Sequence, residues 1–371
     1  MNRRSFLNKA AVTSTSLVIA GTAIGQKQEN KPLQVAVIGL VHTHVHGILG
    51  SAKDGVISII AIVEPNKILA EKYSRQYGFN LDIVFSTMED MIEKVTPEAV
   101  STFTTTFDHL KVVEFFAPRG IHIMVEKPLA VNMIHAEKMT RLAKKHNIRL
   151  LTNYETTWYA THKRAHQVIK EEKMAGEMRK IVFHTGHQGP FEIGCNVEFT
   201  DWLTDPILNG GGALTDFGCY GANLATWLMN GQRPLTVTCI TQNIKPDRYP
   251  KVEDEATILL TYPKSQVIIQ ASWNWPFNRK DMEIYGEHGQ MICEDRNNLI
   301  FRWKNMKKVE REILQENMAP FNDPFAYLAA VVRNKITPEP FDLSSPENNL
   351  IVMEILDAAR ASTNNGVTIK L

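Results

Sequence analysis

Cysteine is scarce in this 371-residue chain: Cys195, Cys219, Cys239 and Cys293 are the whole complement, and no two of them form a C-x-x-C pair. Their spacing excludes a metal site built on neighbouring cysteines and leaves buried free thiols, or one or two disulfides, as the open readings. Net charge is nearly absent as well, since 41 Lys and Arg face 40 Asp and Glu for a formal +1. A balance of that kind offers no basic face for nucleic acid. Low-complexity tracts and internal repeats are missing, and 44% apolar with 22% charged residues is ordinary for a globular chain of about two domains.

Glycine is missing where it is most expected. The run Val35–Ile38 reads as a buried strand entering a turn at Gly39, and a dinucleotide-binding turn continues G-x-G-x-x-G so that backbone can approach a pyrophosphate at a helix N-terminus. Here Val41 stands at the second glycine and His44 at the third. His42, His44 and His46 alternate through the turn instead. Two readings stay open for it: NAD binding through backbone amides, or a metal ion on His42, His44 and His46.

What is present begins with Arg3, Arg4, Phe6 and Leu7, a twin-arginine export pattern, followed by the small and apolar run Ala10–Gly25. That run is shorter than the roughly 20 residues a membrane span needs. Residues 1–25 are therefore expected to be a signal peptide, with Gln26 the mature N-terminus and Ala20–Ala23 a competing cleavage site. The mature protein is expected in the periplasm or otherwise exported, with no integral membrane span. Losing Arg3, Arg4 and Lys9 with no acid lowers the formal charge from +1 by three, to −2.

After a linker over 26–33, strands are expected at Gln34–Ile38, Ser58–Val63, Ile83–Val84, Ala99–Phe103, His122–Val125 and Leu150–Asn153. Helices are expected between them at Ile48–Ala52, Lys67–Tyr77, Met88–Glu93, Leu110–Pro118 and Ile134–His146. This alternation predicts a Rossmann-like, doubly wound parallel sheet over 34–152. From Arg179 onward β-rich runs dominate: 180–184, 235–242, 256–262, 266–273, 281–285, 290–294 and 299–303. They predict an α+β domain over 153–371 with a large, open, mainly antiparallel sheet, whose exposed face suits a homo-oligomer contact. Glu64, 25 residues beyond Gly39, ends the second strand where an acid hydrogen-bonds an adenosine ribose, and no arginine follows it, which favours NAD over NADP.

Two segments carry the chemistry. Glu126-Lys127-Pro128 lies at the carboxyl end of a strand, where a lysine can hold a hydroxyl or carbonyl oxygen. Gly210-Gly211-Gly212-Ala213-Leu214-Thr215-Asp216 continues through Tyr220 and Asn223 with helical spacing that predicts one helix over Ala213–Leu228, Asp216 and Tyr220 sharing a face. Together these segments resemble the EKP and GGGALxDxGxHxxD motifs of the Gfo/Idh/MocA oxidoreductase family, and Gly176-Glu177-Met178-Arg179 resembles that family's entry to the second half. The resemblance covers nearly all of 34–371 and departs at two motif positions: Tyr220 stands for the usual His, as in glucose–fructose oxidoreductase and dihydrodiol dehydrogenase relatives, and Asn223 for the usual Asp.

The resemblance implies Tyr220 as acid/base, Lys127 as the partner that lowers its pKa, and Asp216 as a substrate-orienting group. It implies a tightly held NAD touching Gly39, Val41, His42, Thr43, His44, Glu64, Thr104, His109, Glu126 and Lys127. A sugar or glycoside is the implied substrate, with Trp158, His187, Asp201 and Asn223 as expected contacts; Trp202, Trp273 and Trp275 are weaker stacking candidates. An exported enzyme must retain and regenerate its cofactor, which favours redox exchange between two substrates or oxidation-assisted glycoside cleavage. The competing reading is a metal-dependent sugar lyase or a non-catalytic sugar binder whose turn no longer takes NAD.

Overall fold

A computed structural model of the protein describes residues 31–51 and 55–371. The export segment at 1–25, most of the linker and Ala52 lie outside the described residues.

Six parallel strands, β1 (Leu33–Ile38), β2 (Ile57–Val63), β3 (Val84–Phe85), β4 (Ala99–Thr102), β5 (His122–Glu126) and β6 (Leu150–Asn153), assemble in the order 3-2-1-4-5-6. Helices α1 (Val45–Ser51), α2 (Lys67–Tyr77), α3 (Met88–Ile92), α4 (His109–Phe116) and α5 (Met133–Lys145) connect them. This is the doubly wound order of dinucleotide-binding sheets, and its ligand crevice lies beyond the carboxyl ends where the order reverses, between β1 and β4. Local chemistry sets the helix ends. Asn66 accepts from the Ile68 and Leu69 amides at the start of α2, and Gly78, in the left-handed region at φ +80°, ends it.

The second half continues with α6 (Ala160–Lys170), β7 (Met178–Gly186), α7 (Val197–Leu203), α8 (Ala213–Asp216) and α9 (Gly218–Leu228). Strands β8 (Thr236–Gln242), β9 (Glu255–Thr261), β10 (Gln266–Ser272), β11 (Arg279–Gly286), β12 (Gly289–Cys293), β13 (Asn298–Trp303) and β14 (Glu310–Ile313) follow, then α10 (Pro324–Val332), α11 (Pro346–Asn365) and β15 (Ile369–Lys370). Nine strands form one sheet in the order 14-13-12-11-7-10-9-8-15, antiparallel except for the β7–β10 pair. The mainly antiparallel expectation therefore holds with one parallel exception. Helices α8 and α9 cover the inner face of this sheet, and α11 packs across α9, β8 and α5, which ties the two sheets together.

Two differences from the sequence expectation matter. The helix expected over Ala213–Leu228 is interrupted at Phe217, so α8 and α9 are separate pieces. All four cysteines are free thiols, three of them buried, so the disulfide option is not realised. Among the described residues, no helix is long and apolar enough to cross a membrane.

Candidate active site between the two sheets

Lys127 follows the last residue of β5, and its stem is buried to 6% exposure. Its ammonium forms an ion pair with the Asp216 carboxylate and also donates to the Asp216 backbone oxygen at 3.2 Å. Trp273, fully buried immediately after β10, donates its indole N–H to the other Asp216 oxygen at 3.0 Å. Burial alone would raise the Asp216 pKa, but Lys127 outweighs it and holds the carboxyl below its ordinary value. Burial likewise opposes the charge on Lys127, and Asp216 again wins, so that the lysine pKa is raised. The ion pair is permanent near neutral pH.

Tyr220, in the first turn of α9, has its ring near two lysines: Lys127 Nζ and Lys280 Nζ each lie 5.2 Å from the ring centroid. Lys280, on β11, is in turn ion-paired with Glu155. The Tyr220 hydroxyl has no hydrogen-bond partner among the described residues. Burial first, and then the charges of Glu155, Cys219, Asp216 and Glu126, push its pKa well above the usual phenol value. The expected lowering by Lys127 is thus not what the geometry gives, because Asp216 holds that ammonium. Tyr220 rests as a neutral phenol, a proton donor.

His187 joins this group from the loop after β7. Its Nδ1 accepts from the Gly189 amide at 2.9 Å, its ring stands edge-on to Phe217 at 4.8 Å, and burial lowers its pKa to about 4 despite Asp216 nearby. Neutral His187 with an accepting Nδ1 carries its proton on Nε2.

The three glycines before α8 do not open space for a ligand. A Cβ at Gly212 would lie 2.0 Å from the Glu253 backbone oxygen, and one at Gly210 would lie 2.7 Å from Val131 O. Backbone meets backbone there, and Glu253 Oε1 accepts from the Gly212 and Leu214 amides at 2.8 and 3.0 Å. Arg360 of α11 completes the brace by donating to Gly210 O, Thr215 Oγ1 and Val131 O. Gly212→Ala is therefore expected to destabilise the fold by about 1–3 kcal/mol through overpacking, which urea unfolding would measure.

The histidine turn is closed from inside. Gly39 N donates to Val63 O at 2.8 Å, Leu40 N to Glu64 Oε2 at 2.9 Å, Val41 N and His42 N both to Phe103 O at 3.2 and 3.0 Å, and His44 N to His42 Nδ1 at 3.1 Å. Of the amides from Gly39 to Val45, that of Thr43 alone has no internal acceptor among the described residues. Glu64 is 4% exposed and its second oxygen accepts from Asn66 N at 2.8 Å, so it braces the turn in this structure rather than offering a free carboxylate to a ribose. Helix α7 lies over the turn: Phe199 and Trp202 pack on His42 at 4.9 and 5.5 Å between ring centroids, and Glu198 pairs with Lys72 of α2 at 2.8 Å.

A dinucleotide fits the rest of the carboxyl edge better than the turn itself. A cavity of about 250 Å³, lined by Gly39, Val63, Pro65, Met88, Thr104 and Lys111 among others, opens beside β1, β2 and β4, where the adenosine half would lie. His109 Nε2 is buried without a partner, while its Nδ1 faces Leu129 O at 3.2 Å. Those two features suit a nucleotide; the inward amides of Val41 and His42 leave Thr43 N–H and the His44 side chain for the phosphates.

Several expected contacts fall elsewhere. Asn223 is fully buried and donates to Leu343 O and Asn348 Oδ1 at 2.8 and 2.9 Å, so it joins α9 to α11 and meets no substrate. Trp158 is 4% exposed, packs on Tyr327 and donates to Asn153 Oδ1 at 3.2 Å. Asp201 is on the exposed side of α7, away from Phe199 and Trp202. Trp273 is core rather than a stacking platform. His46 turns to Tyr77 OH at 2.6 Å, so the metal set His42, His44 and His46 does not form; Glu126 takes the third place.

Lys280, Glu155 and Glu253 were not expected, and Trp273, a weak stacking candidate, instead holds Asp216. For Lys280 a signal exists: it is in phase with the buried Met282 and Ile284 along β11, a charge in a core position. Glu155 and Glu253 carry no comparable local signature.

Comparison with known proteins follows the same division of the chain. A sequence model described as "Oxidoreductase family, NAD-binding Rossmann fold" matches residues 33–154, and one described as "GFO/IDH/MocA C-terminal domain" matches 162–292; between them they cover well over half of the chain. Trans-1,2-dihydrobenzene-1,2-diol dehydrogenase of Xenopus tropicalis is 23% identical over 180 residues, 48% of this chain, which spans about half (51%) of that relative's length. Among solved structures, the inositol dehydrogenase homolog from Azotobacter vinelandii, complexed with NAD+, superposes with a TM-score of 0.79 at 18% identity over 92% of this chain and 98% of its own. The aldose-aldose oxidoreductase from Caulobacter crescentus, complexed with glycerol, gives 0.77 at 20% identity over 92% and 100%. At these identities the structural likeness shows the fold.

Proposed function

This chain belongs to the Gfo/Idh/MocA family of oxidoreductases, and from that premise we propose that it is an exported, NAD-dependent enzyme acting on a sugar or glycoside by hydride transfer at a ring carbon. The observation that carries the proposal is the buried Lys127–Asp216 pair at the carboxyl edge of β5, with the ring of Tyr220, whose hydroxyl has no partner among the described residues, beside Lys127. Named relatives include sugar and diol oxidoreductases, which supports the substrate class.

When bound, NAD supplies the hydride acceptor. Gly39, Thr43, His44, Thr104 and His109 are the residues to hold it, with Glu64 bracing the turn beneath. Lys127 holds the oxygen on the reacting carbon and stabilises negative charge there. Asp216 fixes the lysine, with Trp273 fixing Asp216 in turn. Tyr220 gives its proton to that oxygen when carbonyl returns to alcohol, and receives it in the opposite direction. Helix α7, laid over the turn by Phe199, Trp202 and Glu198, supports retention of a cofactor loaded before export by the twin-arginine route. Retention favours a closed redox cycle, either exchange between two substrates or transient oxidation that eases glycoside cleavage. The half-buried outer face of the nine-stranded sheet is the surface for a homo-oligomer.

Denaturing the full chain and analysing the released small molecules by mass spectrometry tests this reading. Stoichiometric NAD or NADH is expected. Release of no nicotinamide, with none taken up on incubation, would overturn it.

A further inference from the structure

Three carboxylates, Glu126, Glu155 and Asp216, meet in the cleft with two lysines. Lys127 is committed to Asp216 and Lys280 to Glu155. Glu126, 2% exposed, has no ion-paired lysine or arginine among the described residues, although the charge of Lys127 next to it in the chain helps lower its pKa. Its Oε1 accepts from Asn153 Nδ2 at 2.8 Å, and its Oε2 lies 2.8 Å from His44 Nδ1. A buried carboxylate without an ion-paired permanent cation is unfavourable, and its two direct partners are an amide, that of Asn153, and an imidazole, that of His44.

His42 packs against His44 with ring centroids 4.5 Å apart and is enclosed by Phe199 and Trp202. Its Nδ1 accepts the His44 backbone N–H, so the ring is neutral, the form that ligates metals. One ligand atom each from His42, His44 and Glu126 lies within 4.8 Å of the others. The His44 Nδ1 to Glu126 Oε2 contact of 2.8 Å is a hydrogen bond, and tetrahedral ligands about 2.1 Å from one ion stand about 3.4 Å apart, so entry of an ion replaces that bond, parts the two atoms by about 0.6 Å and sends its proton to His44 Nε2 or to solvent.

We propose that His42, His44 and Glu126 form a binding site for a divalent transition-metal ion, zinc foremost. Two imidazoles and one carboxylate suit zinc and its neighbours, and three protein ligands leave a position open for water or a substrate oxygen. Asn153 is the positioning residue that orients Glu126, and is itself held by Trp158 Nε1. Ligation through His42 Nδ1 exchanges one hydrogen bond for a metal bond and releases the His44 amide. The ion places a positive charge in direct contact with Glu126, which Lys127 reaches only through space. The rival cluster, His184, Asp281 and Glu283, is already satisfied: Arg279 forks onto Asp281, and Tyr285 and Gln290 donate to Glu283. The proposal does not depend on NAD.

The test uses the untagged full chain, stripped with a chelator and titrated with Co²⁺ while the visible d–d bands are followed, with Zn²⁺ displacing the cobalt. One ion per chain is expected. His42→Ala and His44→Ala are expected to abolish uptake, Asn153→Ala, which keeps every ligand, to weaken it about 10–100-fold, and His46→Ala to leave it unchanged. Circular dichroism of each stripped variant reports folding, and a zinc-dependent rise in thermal midpoint, present in the native chain and absent from a folded His44→Ala, gives a second readout. No uptake by the native chain, or uptake surviving both His42→Ala and His44→Ala, or lost instead in Glu283→Gln, overturns the proposal. Nicotinamide content of the same preparation reports separately on the oxidoreductase reading.

Discussion

Lys127→Met is expected to destabilise the protein by about 3–5 kcal/mol, because it leaves the Asp216 carboxylate buried with no cation while Trp273 alone remains bonded to it. The methionine fills the volume of the lysine stem, so the loss is electrostatic rather than a cavity. Urea unfolding at a series of pH values separates the two. Asp216 has a depressed pKa in the native protein, so its contribution is present above the unfolded carboxyl value of about 3.9 and is lost as pH falls through the folded value. Lys127 has a raised pKa, so its contribution is present below about 10.4 and is lost as pH rises through the folded value. The gap between native and variant stability should therefore be widest across neutral pH and close in acid, where Asp216 in the variant takes up a proton. A gap independent of pH would mean that packing, not charge, is what Lys127 contributes. Turnover should fall by about 10²–10³-fold, the effect of removing one donor aimed at an oxygen that gains charge.

The parallel half was legible because its information is local. Buried runs such as Val35–Ile38 and His122–Val125 alternate with capped amphipathic helices, and α2 falls at Lys67–Tyr77 because Asn66 and Gly78 write its ends into the sequence. In the catalytic segment the residues Lys127, Asp216 and Tyr220 were readable, but their pairing was not. Helical spacing put Asp216 and Tyr220 on one face; the chain breaks at Phe217, and the two reach Lys127 from different helices. Asn223 follows the same helical spacing into the α9–α11 contact, whose partners Leu343 and Asn348 lie more than 100 residues away. The histidine turn shows the same limit. Alternation proposed His42, His44 and His46 as a set, whereas Tyr77 captures His46 and Glu126, from the far end of β5, completes the cluster. Apart from the local break at Phe217, each miss is a long-range contact, and period and spacing carry no information about those.

Tyr220→Phe is expected to lower turnover by about 10²–10⁴-fold, the range for loss of one positioned proton-transfer group, with bound nicotinamide retained. The hydroxyl makes no bond within the protein, so its removal leaves the ring packed against Tyr154 and Phe217 and the fold intact. Stability should change little, which distinguishes this variant from Lys127→Met. The raised pKa fixes the sign of the pH dependence: burial and the surrounding carboxylates keep the phenol protonated, so the reductive half of the cycle, which needs a donor, should hold its rate through pH about 10, where a free tyrosine would lose its proton. The oxidative half must move a proton onto or past the same oxygen against that bias. His187 is not the acceptor, because its Nδ1 is engaged by the Gly189 amide, its Nε2 carries the proton and burial lowers its pKa to about 4. Single-turnover hydride transfer measured in both directions tests this role. Both directions cross the same transition state, so Tyr220→Phe should slow both, and an unchanged rate in either direction would remove Tyr220 from the proton transfer.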